Sequence, residues 1–176
     1  MIRSILATSF VLLLVLFSGC AFDTGVGDPA TALVDPRLEG VWKGEGESGT
    51  ILVKAWDAHT YAISVVNIDS SPGAVKYKPG ECYKAWLTKI EGRTFISLDS
   101  TPHDLKPPEH PFLVAMLEVK PDGIKVQALN PEVCGEARTP AALEASIKAN
   151  LNNPKLFLPT VAYQRITDEV KKELSR

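Results

Sequence analysis

The stretch that decides the fold is LEGVWKGEGESGTILVKAWDAHTYAISVVN, residues 38–67. Its apolar residues recur at every second position, as in Ile51, Val53 and Ala55. That period is typical of a β-strand with one face buried. The stretch therefore predicts three consecutive strands, joined by connections short enough for hairpins. We place them at 41–47, 50–57 and 60–67.

The same alternation continues towards the C-terminus. It predicts four more strands in succession and a last strand after a helical segment, at 82–90, 93–99, 112–120, 124–129 and 161–166. Short strands in sequence, mostly joined by tight turns, favour an antiparallel meander. Because open sheet edges invite aggregation, we expect this mainly β chain to close into a barrel or a strongly curved sheet.

The region after residue 139 predicts a helix that packs on the sheet. Thr139 is a capping residue followed by a first-turn proline, and Leu143, Ile147 and Leu151 are spaced by four residues. This pattern indicates a helix at about 140–151. A short C-terminal helix is predicted from Thr167 onward.

The N-terminal residues have the pattern of a targeting signal. In MIRSILATSFVLLLVLFSGC, Arg3 is followed by an apolar run at 5–17 and by small residues that end at Cys20. The stretch resembles the signal peptide of bacterial lipoproteins. The resemblance implies cleavage before Cys20, lipidation of that residue and anchoring in a membrane through several acyl chains. With Ala21 in the next position, it also implies a location on the outer membrane, facing the periplasm.

Two alternatives for this stretch remain open. Besides a lipoprotein signal, the segment could serve as a plain secretory signal or as a retained membrane anchor. A spanning helix needs about 20 apolar residues, and the run at 5–17 is shorter than that. The predicted organisation is a signal peptide at 1–19, a flexible tether at 20–37, a β-rich domain at 38–166 and a terminal helix at 167–176.

Charge and cysteine content limit the possible partners. Without residues 1–19 the chain has 18 basic and 21 acidic side chains, which gives no basic surface for nucleic acid. With Cys20 assigned to lipid, Cys82 and Cys134 remain in an oxidising compartment, so a disulfide between them is the first expectation. The alternatives are unpaired thiols or a redox pair.

The start of the first predicted strand suggests a binding function. Gly40-Val41-Trp42 resembles the G-x-W opening of lipocalin-type barrels. The resemblance implies an eight-stranded barrel that holds one small apolar ligand. We expect the loops at 67–81 and 99–111 to rim the mouth of this barrel if they fall at the same end. The candidate wall residues are aromatic: Trp42, Trp56, Tyr61 and Trp86. Packing in the core explains them equally well.

A catalytic function has little support in the sequence. No G-x-S-x-G or H-E-x-x-H motif is present, and no cofactor is expected. His103 and His110, together with neighbouring carboxylates, form the alternative, a metal site or metallohydrolase. The sequence thus predicts a non-catalytic, membrane-anchored periplasmic protein that binds a small apolar ligand or an envelope partner, with a purely structural role as a further alternative.

Overall fold

The computed structural model describes residues 22–46, 49–68, 75–100, 111–121 and 123–166, with the backbone alone described at 66–68 and 75–81. Within these ranges the chain forms eight strands: β1 (Gly40–Gly44), β2 (Thr50–Ala55), β3 (Tyr61–Ile68), β4 (Val75–Ile90), β5 (Arg93–Asp99), β6 (Phe112–Val119), β7 (Gly123–Ala128) and β8 (Val161–Arg165). Two helices, α1 (Pro131–Cys134) and α2 (Pro140–Asn150), lie between β7 and β8.

The strands form a closed antiparallel barrel. Each strand pairs with its neighbours in sequence, and β8 returns to pair with β1. The prediction of a mainly β antiparallel meander is confirmed, and of the two predicted forms the chain adopts the barrel. Because the strands run alternately up and down, the connections after β1, β3, β5 and β7 all lie at one end. We call this the upper end and the opposite one the lower end.

One predicted loop is partly strand. The prolines and glycines of 67–81 predict a loop, yet β4 already begins at Val75. The pairing of β3 with β4 shifts register between Ser64 and Val66, so that Tyr77 is opposite Val66 and Cys82 is opposite Ser64. The ladder is interrupted over the intervening β4 residues, so proline and glycine are tolerated there.

Apolar side chains form two cores, one on each side of the barrel wall. Along β5, Ile96 belongs to the interior cluster, whereas Phe95 belongs to a cluster on the outer surface. The outer cluster is covered by α2, whose Leu143 and Ile147 are fully buried. Thr139 caps this helix by accepting a hydrogen bond from the amide of Ala142, so the helix predicted at about 140–151 is confirmed.

The segment predicted as a flexible tether is instead docked on the barrel from Phe22 onward. We call residues 22–35 the strap. The backbone of Phe22 makes two hydrogen bonds with Phe112, of 3.2 and 3.1 Å, and Val26 is fully buried. The segment is poor in apolar periodicity, but two of its apolar side chains, Phe22 and Val26, are buried in the outer core. The folded unit therefore begins well before Leu38, and the tether prediction is wrong over the described residues.

The strap is held most tightly at its centre. The Val26 carbonyl accepts hydrogen bonds from Trp86 Nε1 (2.7 Å) and Thr88 Oγ1 (3.0 Å), and the Val26 amide donates to Ser97 Oγ at 2.9 Å. At Gly27, which has a φ of +71°, a Cβ would lie 2.1 Å from Thr88 Oγ1. Only glycine fits this position, because it tolerates a positive φ and has no Cβ that would clash with Thr88.

The cysteine prediction is corrected by the structure. Cys82 is exposed on β4, Cys134 is buried in α1, and both are free thiols. Cys134 belongs to the outer core, whereas Cys82 is not part of that core. The expected disulfide is therefore not formed. The predicted signal peptide, Cys20 and the terminal helix at 167–176 lie outside the described residues.

Candidate ligand-binding cavity

The interior of the barrel contains an apolar cavity of about 150 Å³. Seven of the eight strands contribute to its lining, β1 being the exception, and the side chains are aliphatic apart from three tyrosines, Tyr61, Tyr83 and Tyr163. The lining follows directly from the alternation of the strands. On β2, for example, Ile51 and Val53 line the cavity, and Lys54, which follows Val53, is exposed and points outward.

The lower end of the barrel is closed by residues distant in sequence. A 3₁₀ turn at Pro36–Leu38 places Leu38 beneath the cavity. Trp42 lies buried beside it and donates a hydrogen bond from Nε1 to the Leu38 carbonyl at 2.8 Å. Arg165 covers the Trp42 ring, with its Cζ 4.3 Å from the ring centroid. This guanidinium also donates to the carbonyls of Glu39, at 2.7 Å, and Arg37, so it ties the last strand to the 3₁₀ turn.

Close packing at the lower end explains the glycine of the G-x-W motif. A Cβ on Gly40 would lie 2.6 Å from the Arg165 guanidinium. Any larger residue there would push this cation from the Trp42 ring, on which it stacks. Gly40 and Trp42 thus act in closing the barrel base.

The cavity reaches towards the upper end. Leu98 and Leu113, near the end of β5 and the start of β6, are in its lining, as is the exposed Pro159 just before β8. The loops predicted to rim the mouth join β3 to β4 and β5 to β6. The strand ends that these loops join lie at the upper end, and residues 69–74 and 101–110 are outside the described part of the chain.

The polar groups of the lining are the phenols of Tyr61, Tyr83 and Tyr163. Burial raises the pKa of Tyr61 to about 12. The Asp35 amide donates a hydrogen bond to the Tyr61 hydroxyl, which in turn donates to the Asp35 carbonyl at 3.1 Å. Burial also raises the pKa of Tyr163 above its ordinary value. Among the described residues, no Asp, Glu, Lys, Arg or His lines the cavity.

The four aromatic residues singled out in the sequence have different environments. Tyr61 lines the cavity, whereas Trp42 lies below it in the closed base. Trp56 follows the last residue of β2 and is 64% exposed. Trp86 faces outward and contacts the strap, because its neighbours Ala85 and Leu87 point into the barrel. Trp56 and Trp86 are therefore not wall residues, and that part of the prediction is wrong.

Sequence reasoning missed the aliphatic lining, although its signal was present. Pairs such as Ile96 and Leu98, or Ile124 and Val126, stand at alternate positions of predicted strands. The same alternation assigns Trp86 to the outer face. Arg165 had no recognisable signal, because its role depends on contact with a residue on β1.

The alternative metal site cannot be placed, since His103 and His110 lie outside the described residues. In the part of the chain that is described, no three His, Cys, Asp or Glu side chains are arranged to hold a metal ion. The described helices include none long and apolar enough to cross a membrane.

Comparison with known proteins found no relative of this chain. No protein-family model matches it, and neither curated proteins nor solved structures show significant similarity.

Proposed function

We propose that this protein is a lipid-anchored envelope protein whose barrel binds a small, neutral, apolar ligand. The observation that carries the proposal is the apolar cavity between the closed base and the upper end of the barrel. A packed domain interior contains few voids larger than a water molecule. We therefore expect a cavity of about 150 Å³ in the interior of a small barrel to bind a ligand.

The dimensions of the cavity define the ligand. Apolar cavities of this volume stay dry and accept molecules the size of benzene, so the ligand portion inside the barrel has about six carbon atoms. Burial of each methylene contributes about 0.8 kcal/mol. Six would give about 5 kcal/mol, which corresponds to a Kd between about 0.1 and 1 mM for a short alkyl chain.

The chemistry of the lining excludes a charged group from the interior. Without a cationic partner, a buried carboxylate would carry a large desolvation cost. Arg165, in the barrel base, already donates hydrogen bonds to two backbone carbonyls and stacks on the Trp42 ring. A ligand with a charged head would keep that head outside the upper end and place only its alkyl chain in the cavity.

Titration with a series of straight-chain alcohols, from butanol to octanol, tests this function. In calorimetry on the purified protein, affinity should rise about fourfold for each added methylene and stop rising once the cavity is filled. Affinity that does not depend on chain length would contradict an apolar site inside the barrel.

Two phenylalanine substitutions on β7, one inside the cavity and one outside it, provide the matched control. Ala128 lines the cavity on β7, and Lys125 is exposed on the outer face of that strand. Ala128→Phe should abolish alcohol binding, whereas Lys125→Phe, which adds the same side chain outside, should leave it unchanged. Because overpacking costs roughly 1–3 kcal/mol, Ala128→Leu serves as a milder second variant that should weaken binding of the longer alcohols first. Equal binding by both phenylalanine variants would place the alcohol elsewhere.

The anchoring part of the proposal rests on the lipoprotein-type sequence that ends at Cys20. Mass spectrometry of the N-terminal peptide, from protein expressed in a bacterium, should show acyl groups on a chain that begins at Cys20. A Cys20→Ser variant should lack these groups and lose its membrane association. An unmodified Cys20 would refute the anchoring without bearing on the cavity.

A further inference from the structure

The first described residue of the chain is fixed at the upper end of the barrel. Phe22 is 1% exposed, and its backbone pairs with Phe112, the first residue of β6. The next residue of that strand, Leu113, lines the cavity. The chain therefore meets the barrel wall beside the end of the cavity that lies away from the closed base.

Cys20 precedes this fixed point by only two residues. Two residues of fully extended chain span at most about 7 Å. The strap cannot supply additional length, because it is clamped at Val26 by hydrogen bonds to Trp86, Thr88 and Ser97. Acyl groups attached to Cys20 would therefore start within about 7 Å of the upper rim.

We propose that the barrel stands with its upper end against the bilayer, so that the cavity takes its alkyl ligand directly from the membrane. This inference rests on the proposed anchoring at Cys20, and the partner surface is the lipid bilayer itself. A long flexible tether would leave the barrel free to turn. The docked strap instead fixes which end faces the lipid.

The same geometry places the opposite end of the barrel away from the membrane. Trp56 is 64% exposed in the turn that follows β2, at the lower end. Glu45 is exposed in the turn that follows β1, at the upper end. The six residues of β2, which separate these turns, span roughly 20 Å. The two positions therefore report on opposite ends of the barrel.

Quenching of tryptophan fluorescence by brominated lipid tests the orientation. Protein purified from bacterial membranes is reconstituted in phosphatidylcholine vesicles with or without bromine on the acyl chains. The wild type carries its exposed tryptophan at the lower end, and a Glu45→Trp, Trp56→Phe double variant carries it at the upper end. Both proteins retain Trp42 and Trp86, so only the exposed tryptophan differs. We expect quenching to be several-fold greater in the double variant, and equal or reversed quenching would overturn the proposal.

A lengthened tether provides the structural control. Insertion of about twelve Gly and Ser residues between Ala21 and Phe22 adds a root-mean-square span of roughly 20 Å. The insertion should remove the difference in quenching and leave the urea midpoint unchanged. If the difference persists with the longer tether, the orientation is not set by the docked strap and the proposal fails.

The test separates this inference from the function on which it rests. If mass spectrometry finds no acyl groups, anchoring at Cys20 in cells is refuted. The orientation is then measured on a Cys82→Ser background, with the Cys20 thiol coupled to maleimide phospholipid in the same vesicles. Ala128→Phe should keep the difference in quenching even though its cavity is filled, because orientation does not require a ligand.

Discussion

Replacement of Gly27 by alanine is the most informative perturbation of the strap. A Cβ at this position would lie 2.1 Å from Thr88 Oγ1, and the residue has a φ of +71°. Gly92, in the hairpin turn between β4 and β5, has a φ of +76° and no atom within 4 Å of its own Cβ position. The pair of variants therefore separates the cost of backbone conformation from the cost of the contact.

The expected magnitudes follow from these surroundings. Gly92→Ala should lower the free energy of unfolding by roughly 1–2 kcal/mol, the cost of a left-handed conformation for a residue with a Cβ. Gly27→Ala carries the same cost, and the clash with Thr88 should also displace the strap. Burial of Val26 is worth about 1.5–3 kcal/mol, and each lost hydrogen bond about 1 kcal/mol. The total loss should therefore be about 4 kcal/mol or more.

Urea denaturation of the two variants measures this difference. Trp86 fluorescence gives a second readout, since undocking of the strap exposes the indole that now donates to the Val26 carbonyl. The emission of Gly27→Ala should shift to the red under native conditions, and that of Gly92→Ala should not. If the two variants lose equal stability and their emission is the same, the strap is not held by the contacts described above.

Two further predictions concern the base of the barrel. Arg165→Met should lower the free energy of unfolding by about 3 kcal/mol, because it removes the stacking on Trp42 and two charge-assisted hydrogen bonds. A urea midpoint equal to that of the wild type would refute this role. The second prediction concerns alkaline pH, where the raised pKa of Tyr61, about 12 against an ordinary 10.0, means that the folded state keeps a proton that the unfolded chain releases. The contribution of the Tyr61 hydroxyl to the free energy of unfolding is fully present below pH 10.0 and is lost as the pH rises towards about 12. Urea midpoints across this interval should fall less steeply in Tyr61→Phe, and identical slopes would contradict the assignment.

The strands and the main helix were predictable because their signals are local. Ile51 and Val53 alternate with outward residues over a few positions, and Thr139 followed by Pro140 marks the start of a helix within a single turn. The physical cause in both cases is the geometry of the backbone, which sets a period of two or of 3.6 residues. The lining of the cavity follows from the same alternation once closure of the sheet is known.

Tertiary structure alone decided the path of the strap and the closure of the base. Nothing near Val26 in sequence indicates that Trp86 and Ser97 would bind its backbone, and Arg165 reaches Trp42 only because β8 returns to β1. These contacts join residues that are at least 60 positions apart in the sequence. The sequence determined which segments become strands and which faces are apolar, whereas contacts between distant residues decided which apolar surface became a core and which became a cavity.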